Sequence, residues 1–512
     1  MNKKTFWILT ISLVLVKIFI HFFTSTNYEL HRDEMLYFSM GSHLSWGFAS
    51  TPPFMSLLAF VIKSVFGYQP FFVKLFPALF GASILFLIAL FIKELGGTAF
   101  SVFMGCFAYL ISTAMLRTAS LFMPVIFELF FWMLFLFFVL KLILTQNPKY
   151  WISLGIIFGM AFLNKYSVLF LGFSTCFALL IGEHRRLLVS RYFIYAFLIS
   201  LFIMSPNILW QINHNMAIMT HMRELYRTQL VYVSKQSFLL GQLWMNFTSI
   251  LFWIIGLIVV LFKKSERKYR VFGYIFLMVI FLFLIAEGKF YYTLGVYPMM
   301  FAFGGYYLGK SIIGKLKLAG YSIVGISFLL SILFLPLGLP ILPKEQMGRY
   351  CALFSKYITP APMRSENNSY YPIPQDYMDM TGWNELAKLT STAYKTLDFK
   401  QQRDCIIYAN NYGQAGAIDF YGKQYNLPTP ICLNDSYIFW APDSLTASNF
   451  IVTDDQLGDI PRLFNKYSEV GEIKDYFFRE NGLKVFLCQY PKPLLNEFFI
   501  KRIKKHKEVY GF

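Results

Sequence analysis

Residues 5–34 read TFWILTISLVLVKIFIHFFTSTNYELHRDE, so a long apolar run stands close before four consecutive ionisable side chains. An apolar run of roughly 20 residues is long enough to cross the hydrocarbon core of a bilayer as a helix. We predict a first membrane span near 5–23, which stays uncleaved because no small-residue cleavage site follows it. The charged stretch then lies at the edge of a membrane, where carboxylates are costly unless they are paired or used.

The whole chain has the composition of a membrane protein. Its 512 residues are 56% hydrophobic and only 14% charged, a balance that soluble proteins seldom show. We predict a polytopic α-helical membrane protein with about 11 transmembrane helices, near 5–23, 71–92, 98–116, 124–144, 150–163, 166–181, 192–210, 240–262, 271–286, 291–309 and 319–336. The stretch 54–67 is too short to span and is expected to lie along the interface.

Lysine and arginine in the loops predict the orientation, because cytoplasmic loops are enriched in these residues. Every second loop is basic, which places the N-terminus in the cytoplasm. The basic loops contain Lys3 and Lys4, Lys93, Lys141 and Lys149, Arg185, Arg186 and Arg191, the stretch FKKSERKYR at 262–270, and Lys310, Lys315 and Lys317. The loops of the other parity are predicted to face outward, and they are HRDE, LRTASLFMP, NKY, SPNILWQINHNMAIMTHMRELYRTQ and EGKFYY.

The segment 337–512 is polar, and an odd number of spans places it outside as well. Stretches such as CIIYAN, SNFIVTDD and LKVFLCQY alternate as strands do, between short helices. We predict a transmembrane domain over 1–336, with its first outer loop at 24–70, and an extracytoplasmic α/β domain over 337–512. The net charge of +18 comes from the inner loops and a basic C-terminal stretch, which favours a lipid bilayer as partner; no nucleic-acid motif is present.

Asp33 and Glu34 are the candidate catalytic residues. Neighbouring residues on a helix point about 100° apart, so one carboxylate can abstract a proton while the other holds a metal ion or an acceptor. A solvated turn, with Arg32 as a surface ion-pair partner, is the structural alternative. That alternative is disfavoured because the other unusual polar residues occur in loops of the same parity.

Those unusual residues are the candidate substrate-binding groups, each with a structural alternative. Glu128 is suited to a helix N-terminus, Lys165 to snorkelling, and Lys289 to an aromatic belt at the interface. His214 and His221, seven residues apart, form with Glu34 a candidate site for a divalent metal ion, although this spacing is not diagnostic; no other cofactor is indicated. The full set is Arg32, Arg117, Glu128, Lys165, Tyr166, His214, His221, Arg223, Lys289, Tyr291 and Tyr292.

The stretch HRDEMLYFSMGSHLSWGFASTPPF at 31–54 resembles the first outer loop of the dolichyl-phosphate-mannose protein mannosyltransferase-like superfamily. This superfamily includes bacterial aminoarabinose lipid A transferases and has the GT-C membrane glycosyltransferase fold. The similarity continues through LRTASLFMPVIFELFFW, WISLGIIFGMAFLNKYSVLF, SPNILWQINHN and GKFYYTLGVYPMM. YANNYGQAGAIDFYG at 408–422 resembles an outer-domain segment of one bacterial subgroup.

The resemblance implies a glycosyltransferase of the bacterial inner membrane. Such an enzyme moves a sugar, with inversion, from a polyprenyl-phosphate donor to an extracytoplasmic glycan, lipid or protein, and Asp33 matches its catalytic base. Loss of a phosphate leaving group needs positive charge, and we assign this task to Lys165, Arg223 and Lys289. Leu36 and Thr51 stand where the aminoarabinose transferases have Arg and Lys, so the acceptor is not assigned as lipid A.

Two other functions stay open. A transporter or flippase for lipid-linked saccharides would have internal repeats and sites near the bilayer midplane, and we find no convincing repeat. A non-catalytic glycan-binding relative would not need Asp33 and Glu34, which this chain retains.

Overall fold

The computed structural model describes residues 2–311 and 317–511, and it is mostly helical. Lys315 of the predicted basic loops lies outside the described residues. Within the described part, six helices are long and apolar enough to cross a membrane, namely Lys3–Thr24, Pro70–Glu94, Pro124–Thr145, Arg191–Asn213, Lys264–Ile285 and Gly320–Gly338. The pair Lys235–Trp244 and Phe247–Phe262 is bent by 58° and is a seventh candidate if it forms one span. The class of a multi-pass helical membrane protein is therefore confirmed.

The number of spans stays a prediction, because several helices are shorter than a bilayer crossing requires. These shorter apolar helices are Phe54–Phe66, Ala99–Ile111, Tyr150–Asn164 and Val168–Ile181. The predicted span 98–116 is broken at Ser112, which has extended backbone angles and whose hydroxyl accepts a hydrogen bond from the backbone N–H of Met115. A new helix, Thr113–Thr118, starts after this cap.

The remaining helices are mostly short and mostly follow residue 340. They are Arg32–Met40, Ala217–Thr228, Tyr297–Ser311, Lys344–Tyr357, Gln375–Met378, Trp383–Lys395, Phe399–Arg403, Tyr412–Tyr421, Ile460–Leu463 and Pro493–Val509. The span Gly320–Gly338 is part of the helix Lys317–Gly338.

A four-stranded mixed sheet forms the centre of the C-terminal segment. Its strands are β1 (Cys405–Ala409), β2 (Asn449–Asp454), β3 (Phe464–Glu472) and β4 (Lys484–Pro491), in the order β1-β2-β4-β3. β1 and β2 are parallel, whereas β4 is antiparallel to β2 and to β3. The three alternating stretches predicted as strands are β1, β2 and β4. The sequence prediction missed β3, because this edge strand is largely exposed and lacks an apolar face.

The chain divides into two compact units. The first, here the membrane unit, contains Met1–Ser25, Lys74–Pro206 and Tyr226–Ile341. The second, here the sheet unit, contains Thr26–Val73, Asn207–Leu225 and Leu342–Phe512. The first outer loop thus belongs to the same unit as the sheet, a grouping that the predicted division at residue 337 did not anticipate.

Backbone hydrogen bonds fix the start of the first outer loop within the sheet unit. The N–H of Glu29 donates to the carbonyl of Met380 at 3.0 Å, and the N–H of Arg32 donates to the carbonyl of Asp379 at 3.1 Å. The loop is therefore paired with the chain near residue 380 before its helix begins.

The helix Arg32–Met40 packs closely on the helix Tyr412–Tyr421. Gly416 makes this approach possible, because a Cβ atom there would lie 2.9 Å from the Cβ of Met35. Ser39 on the first helix donates a hydrogen bond to Asp419 on the second at 2.8 Å. The charged stretch HRDE is thereby positioned by residues nearly 400 positions later in the chain.

Candidate active site

The stretch HRDE forms a helix cap. The His31 Nδ1 atom accepts a hydrogen bond from the backbone N–H of Asp33 at 3.1 Å, and Glu34 Oε2 accepts from the backbone N–H of His31 at 2.7 Å. This reciprocal arrangement is a capping box, which satisfies backbone donors at the helix start. Glu34 is fully buried, so its carboxylate has a structural position rather than one open to substrate.

Asp33 is placed differently from its neighbour. Its side chain is 32% exposed, and its Oδ1 atom accepts a hydrogen bond from the Tyr412 hydroxyl at 2.8 Å. Burial and the Asp33 charge hold the pKa of Tyr412 well above its usual value, against the opposing effect of Arg32. The phenol is therefore protonated and donates, which orients the Asp33 carboxylate while leaving it accessible.

The start of a helix fixes Tyr412. Asn411 caps the helix Tyr412–Tyr421, since its Oδ1 atom accepts from the backbone N–H groups of Gly413 at 2.9 Å and Gln414 at 3.1 Å. An asparagine in this position commonly supplies such a cap. The local sequence NNYG thus fixes the backbone position from which the Tyr412 side chain extends toward Asp33.

Arg32 lies over the same tyrosine. Its guanidinium carbon is 4.4 Å from the centre of the Tyr412 ring, a cation–π contact. A Cβ atom on Gly413 would lie 3.2 Å from Arg32 Nε, so glycine makes room for the guanidinium. Burial lowers the pKa of Arg32, but Tyr412, Asp379 and other acidic groups raise it more, and the group stays charged.

Asp379 is the buried centre of this charge cluster. Its side chain is 1% exposed, and Arg479 Nη1 donates to its two oxygens at 2.8 and 3.1 Å, while His31 Nε2 lies 3.5 Å from Oδ2. Burial alone would raise the pKa of Asp379, but the His31 hydrogen bond and the charges of His31, Arg479 and Arg32 lower it to about 2. The carboxylate is therefore ionised and ties the His31 cap to Arg479.

The His31 imidazole has one definite hydrogen-bonding role for each nitrogen. Because Nδ1 accepts the Asp33 N–H, Nε2 carries the proton that faces Asp379. Burial lowers the pKa of His31, but the Asp379 hydrogen bond and the nearby carboxylates of Asp33 and Asp379 raise it above its usual value. His31 is thus a connecting element between the cap and the buried ion pair.

A second polar cluster lies in the membrane unit. Lys165 Nζ contacts Glu128 Oε2 at 2.7 Å, and the Ser167 hydroxyl donates to the other Glu128 oxygen. The Lys165 ammonium also lies 4.8 Å from the centre of the Tyr292 ring. Glu128 is buried, whereas Lys165 is 24% exposed, so the pair holds a partly accessible cation.

Lys289 adjoins this cluster through two tyrosines. The rings of Tyr291 and Tyr292 meet edge to face at 4.9 Å, and Lys289 Nζ is 5.8 Å from the centre of the Tyr291 ring. Lys289 Nζ also donates to Gln229 Oε1 at 2.5 Å. The predicted motifs NKY and GKFYY therefore meet in the structure.

The structure also places the predicted residues Tyr166, Arg117, Arg223 and His221. Tyr166 packs edge to face on Phe162 at 4.9 Å, and Arg117 is half-buried near the end of the helix Thr113–Thr118. Arg223 is exposed on the helix Ala217–Thr228, and His221 is half-buried there.

The metal site predicted at Glu34, His214 and His221 stays a prediction. Among the described residues, no group of three or more His, Cys, Asp or Glu side chains is placed to hold a metal ion. Glu34 is engaged in the helix cap, and His214 stacks on Trp210 at 4.0 Å with Nδ1 2.8 Å from the Trp210 carbonyl. Glu34 and His214 thus each have a local structural contact that the sequence did not reveal.

Three residues of the cluster around Asp33 were missed by the sequence analysis. Tyr412 falls within the segment YANNYGQ, and the resemblance of this segment to the outer domain of one bacterial subgroup is the signal that could have identified it. Asp379 and Arg479 lie in MDMTGW and FFREN, which carry no motif. Only their contacts with His31 and with each other identify them.

Comparisons with known proteins agree with this architecture. Residues 50–210 match the family profile described as dolichyl-phosphate-mannose-protein mannosyltransferase. The crystal structure of ArnT from Cupriavidus metallidurans bound to undecaprenyl phosphate is 14% identical, with 95% of this chain and 98% of that chain covered and a TM-score of 0.61. The apo state of the same protein gives 13% identity, the same coverage and a TM-score of 0.60.

No curated protein sequence matches the chain significantly. At 13–14% identity, the likeness to ArnT shows a common fold, and the family profile adds a sequence relationship over 50–210. The chain therefore has the GT-C fold, and its residues 50–210 are similar in sequence to the dolichyl-phosphate-mannose-protein mannosyltransferase family.

Proposed function

We propose that this protein is a multi-pass glycosyltransferase of the bacterial inner membrane. It transfers a sugar from a polyprenyl-phosphate donor to an extracytoplasmic glycan, lipid or protein. The observation that carries the proposal is the partly exposed Asp33 carboxylate, held by Tyr412 next to Arg32. The donor class is supported by the similar fold of ArnT, whose crystal structure contains undecaprenyl phosphate.

Asp33 is the general base in this proposal. The acceptor hydroxyl oxygen attacks the anomeric carbon and gives its proton to Asp33, while the bond from that carbon to the phosphate oxygen breaks. The polyprenyl phosphate leaves with the bonding electrons, and attack from the opposite face inverts the anomeric configuration. Since Tyr412 occupies Oδ1, Oδ2 is the oxygen that takes the proton.

Positive charge stabilises the phosphate as it leaves. We assign this role to Lys165, Lys289 and Arg223, and the binding of substrate also to Arg32 and the tyrosines of GKFYY. The partial exposure of Lys165 and its contact with Glu128 support this assignment, because a fixed cation needs little reorganisation when charge develops. The extended donor lipid is expected to lie in the bilayer.

Replacement of Asp33 by Asn tests the mechanism. A general base contributes roughly 10²- to 10⁴-fold to a rate, so Asp33→Asn should reduce transfer by that factor. The assay compares cell-envelope glycans and polyprenyl-phosphate sugars by mass spectrometry in cells that carry the wild type, the variant or no gene. Asp459→Asn is the matched control, because Asp459 is an exposed aspartate that pairs with Arg462.

Two outcomes would contradict the proposal. Full transfer by Asp33→Asn would exclude Asp33 as the base. Movement of a lipid-linked sugar across the membrane, with no change in any glycan, would favour the transporter; the bent pair Lys235–Trp244 and Phe247–Phe262 is a feature that transporters share.

Lys289→Met tests the phosphate contact. Loss of one charge-assisted hydrogen bond costs about 1.5–3 kcal/mol, so the KM for an undecaprenyl-phosphate sugar should rise roughly 10- to 100-fold. Lys149→Met, an exposed lysine in a predicted inner loop, should leave KM unchanged. An unchanged KM for Lys289→Met, with a normally folded protein, would remove Lys289 from the site.

The orientation of the chain is a separate proposal. The N-terminus is cytoplasmic and the segment after 337 is extracytoplasmic, as the loop charges predict. A membrane-impermeant maleimide should label Asn410→Cys in intact cells, since Asn410 is exposed. Ser265→Cys, exposed in the basic stretch FKKSERKYR, should react only after the cells are opened; the reverse pattern would invert the topology.

A further inference from the structure

The helix Pro493–Val509 is attached to the sheet along one side. Phe499 and Ile503 are buried in the hydrophobic core together with Phe450 of β2 and Phe486 of β4. The rest of the helix surface is largely exposed. One side of the helix is thus fixed by the sheet, and its other sides are open to a partner.

One exposed side of this helix combines apolar and cationic residues. Leu494, Phe498, Arg502, Lys505 and Val509 fall within about 80° of each other at 3.6 residues per turn. Leu494, Phe498 and Val509 are 44%, 46% and 46% exposed. A helix that faces only water normally has a polar outer face, whereas large apolar residues flanked by Lys and Arg are typical of helices at a membrane surface.

The charge of the helix is strongly positive. It contains five cationic residues against Glu497 and Glu508, namely Lys501, Arg502, Lys504, Lys505 and Lys507. Lys507 is paired with Asp443 at 2.6 Å. Burial, and then the charges of Arg502 and Lys505, lower the pKa of His506. This direction agrees with a positive electrostatic potential around the helix.

The end of the helix lies beside the end of a membrane span. The Tyr510 ring contacts Phe439 at 5.2 Å, and Phe439 contacts Trp210 at 5.5 Å and His214 at 5.8 Å. Trp210 belongs to the apolar helix Arg191–Asn213, which is long enough to cross the bilayer. Residues 207–213 at the end of this helix belong to the sheet unit, so the sheet unit itself contains one end of an apolar helix that is long enough to cross the bilayer.

We propose that the stripe Leu494–Phe498–Arg502–Lys505–Val509 rests on the bilayer and binds anionic phospholipid headgroups. The apolar side chains enter the boundary between headgroups and acyl chains, and Arg502 and Lys505 pair with lipid phosphates. The stripe anchors the sheet unit to the membrane through a contact separate from the spanning helices. This inference does not depend on the proposed transfer reaction.

Photo-crosslinking of the full-length protein tests the proposal. Phe498 or Ile500 is replaced by p-benzoylphenylalanine, and the protein is placed in nanodiscs of phosphatidylcholine with a minor share of phosphatidylglycerol. The two positions are a matched pair, because they are 46% and 43% exposed and point about 200° apart on the helix. Lipid adducts are counted by mass spectrometry after illumination.

Position 498 should give several-fold more lipid adducts than position 500, with phosphatidylglycerol over-represented among them. A cation near a charged membrane favours anionic lipid roughly fivefold, so Arg502→Gln with Lys505→Gln should abolish this over-representation while lipid adducts persist. Equal numbers of lipid adducts at both positions would contradict the contact between the stripe and the bilayer. Adducts from position 498 to protein or glycan instead of lipid would contradict it too. Lipid adducts without a phosphatidylglycerol preference in the unaltered helix would overturn the headgroup contact. Unchanged thermal unfolding of each variant verifies that the protein is folded.

Discussion

Asp379→Asn should destabilise the sheet unit and disturb the position of Asp33. The replacement is nearly the same size, but it removes a buried negative charge that faces Arg479 and His31. The backbone N–H of Arg32 also donates to the Asp379 carbonyl. A displacement of residue 379 would therefore displace the start of the helix that contains Asp33.

The size of the effect follows from the contacts. Breaking a buried ion pair typically costs about 3–5 kcal/mol. The Arg479 side chain is 31% exposed, and water compensates part of its lost partner, so we expect about 2–3 kcal/mol. The pKa of Asp379, lowered from 3.8 to about 2, corresponds to about 2 kcal/mol in favour of the ionised carboxylate, which agrees with that range.

Thermal unfolding of the purified protein in detergent measures this effect. For a unit of this size, 2–3 kcal/mol corresponds to a decrease of roughly 5–10 °C in Tm. Asp379→Asn, Arg479→Gln and the double variant form a cycle, in which the double variant should lose clearly less than the sum of the single losses. Additive losses, or a Tm decrease below about 1 °C for Asp379→Asn, would refute the argument that the pair is coupled.

The pH dependence gives an independent check. Because the folded pKa of Asp379 is lower than its unfolded value, its contribution is complete above about pH 4. The contribution is lost as the pH falls from about 4 toward about 2. Asp379→Asn should lack this step in a plot of Tm against pH, and an identical acid profile for the variant and the wild type would contradict the assignment.

Tyr412→Phe removes the hydrogen bond to Asp33 but keeps the ring under Arg32, so kcat should fall roughly 10-fold with little change in KM; an unchanged kcat would show that Asp33 needs no orientation by the phenol. Gly416→Ala places a Cβ 2.9 Å from that of Met35 and should destabilise the protein by about 1–3 kcal/mol in thermal unfolding. Gly325→Ala, where the new Cβ meets no atom within 4 Å, is the matched control, and equal Tm values for the two variants would contradict the close packing at Gly416.

Most helices could be predicted from the sequence because membrane insertion depends on the hydrophobicity of a local window. The predicted span 5–23 corresponds to Lys3–Thr24, and 124–144 corresponds to Pro124–Thr145. The break at Ser112 was not predicted, because a capping hydroxyl inside an apolar run leaves mean hydropathy almost unchanged. The strand β3 was not predicted because it is held by pairing with β4 and has no apolar face that the sequence pattern could show.

The candidate site was predictable only in part. Asp33, Lys165 and Lys289 were selected because charged residues near a membrane are costly, and that criterion acts on single residues. Asp379 and Tyr412 contact the first outer loop from positions more than 340 residues away, and Arg479 pairs with Asp379. Neither composition nor spacing carries information about contacts between such distant parts of a chain.

The sequence by itself determined that this is a multi-pass membrane protein with a C-terminal sheet, because local hydrophobicity and alternation decide those features. Only the tertiary structure decided which carboxylate of the pair Asp33–Glu34 is partly exposed and which is buried. The two residues are adjacent, equal in charge and similar in side chain, so no local property separates them. They differ because the helix start turns Glu34 back onto the His31 N–H and turns Asp33 toward Tyr412.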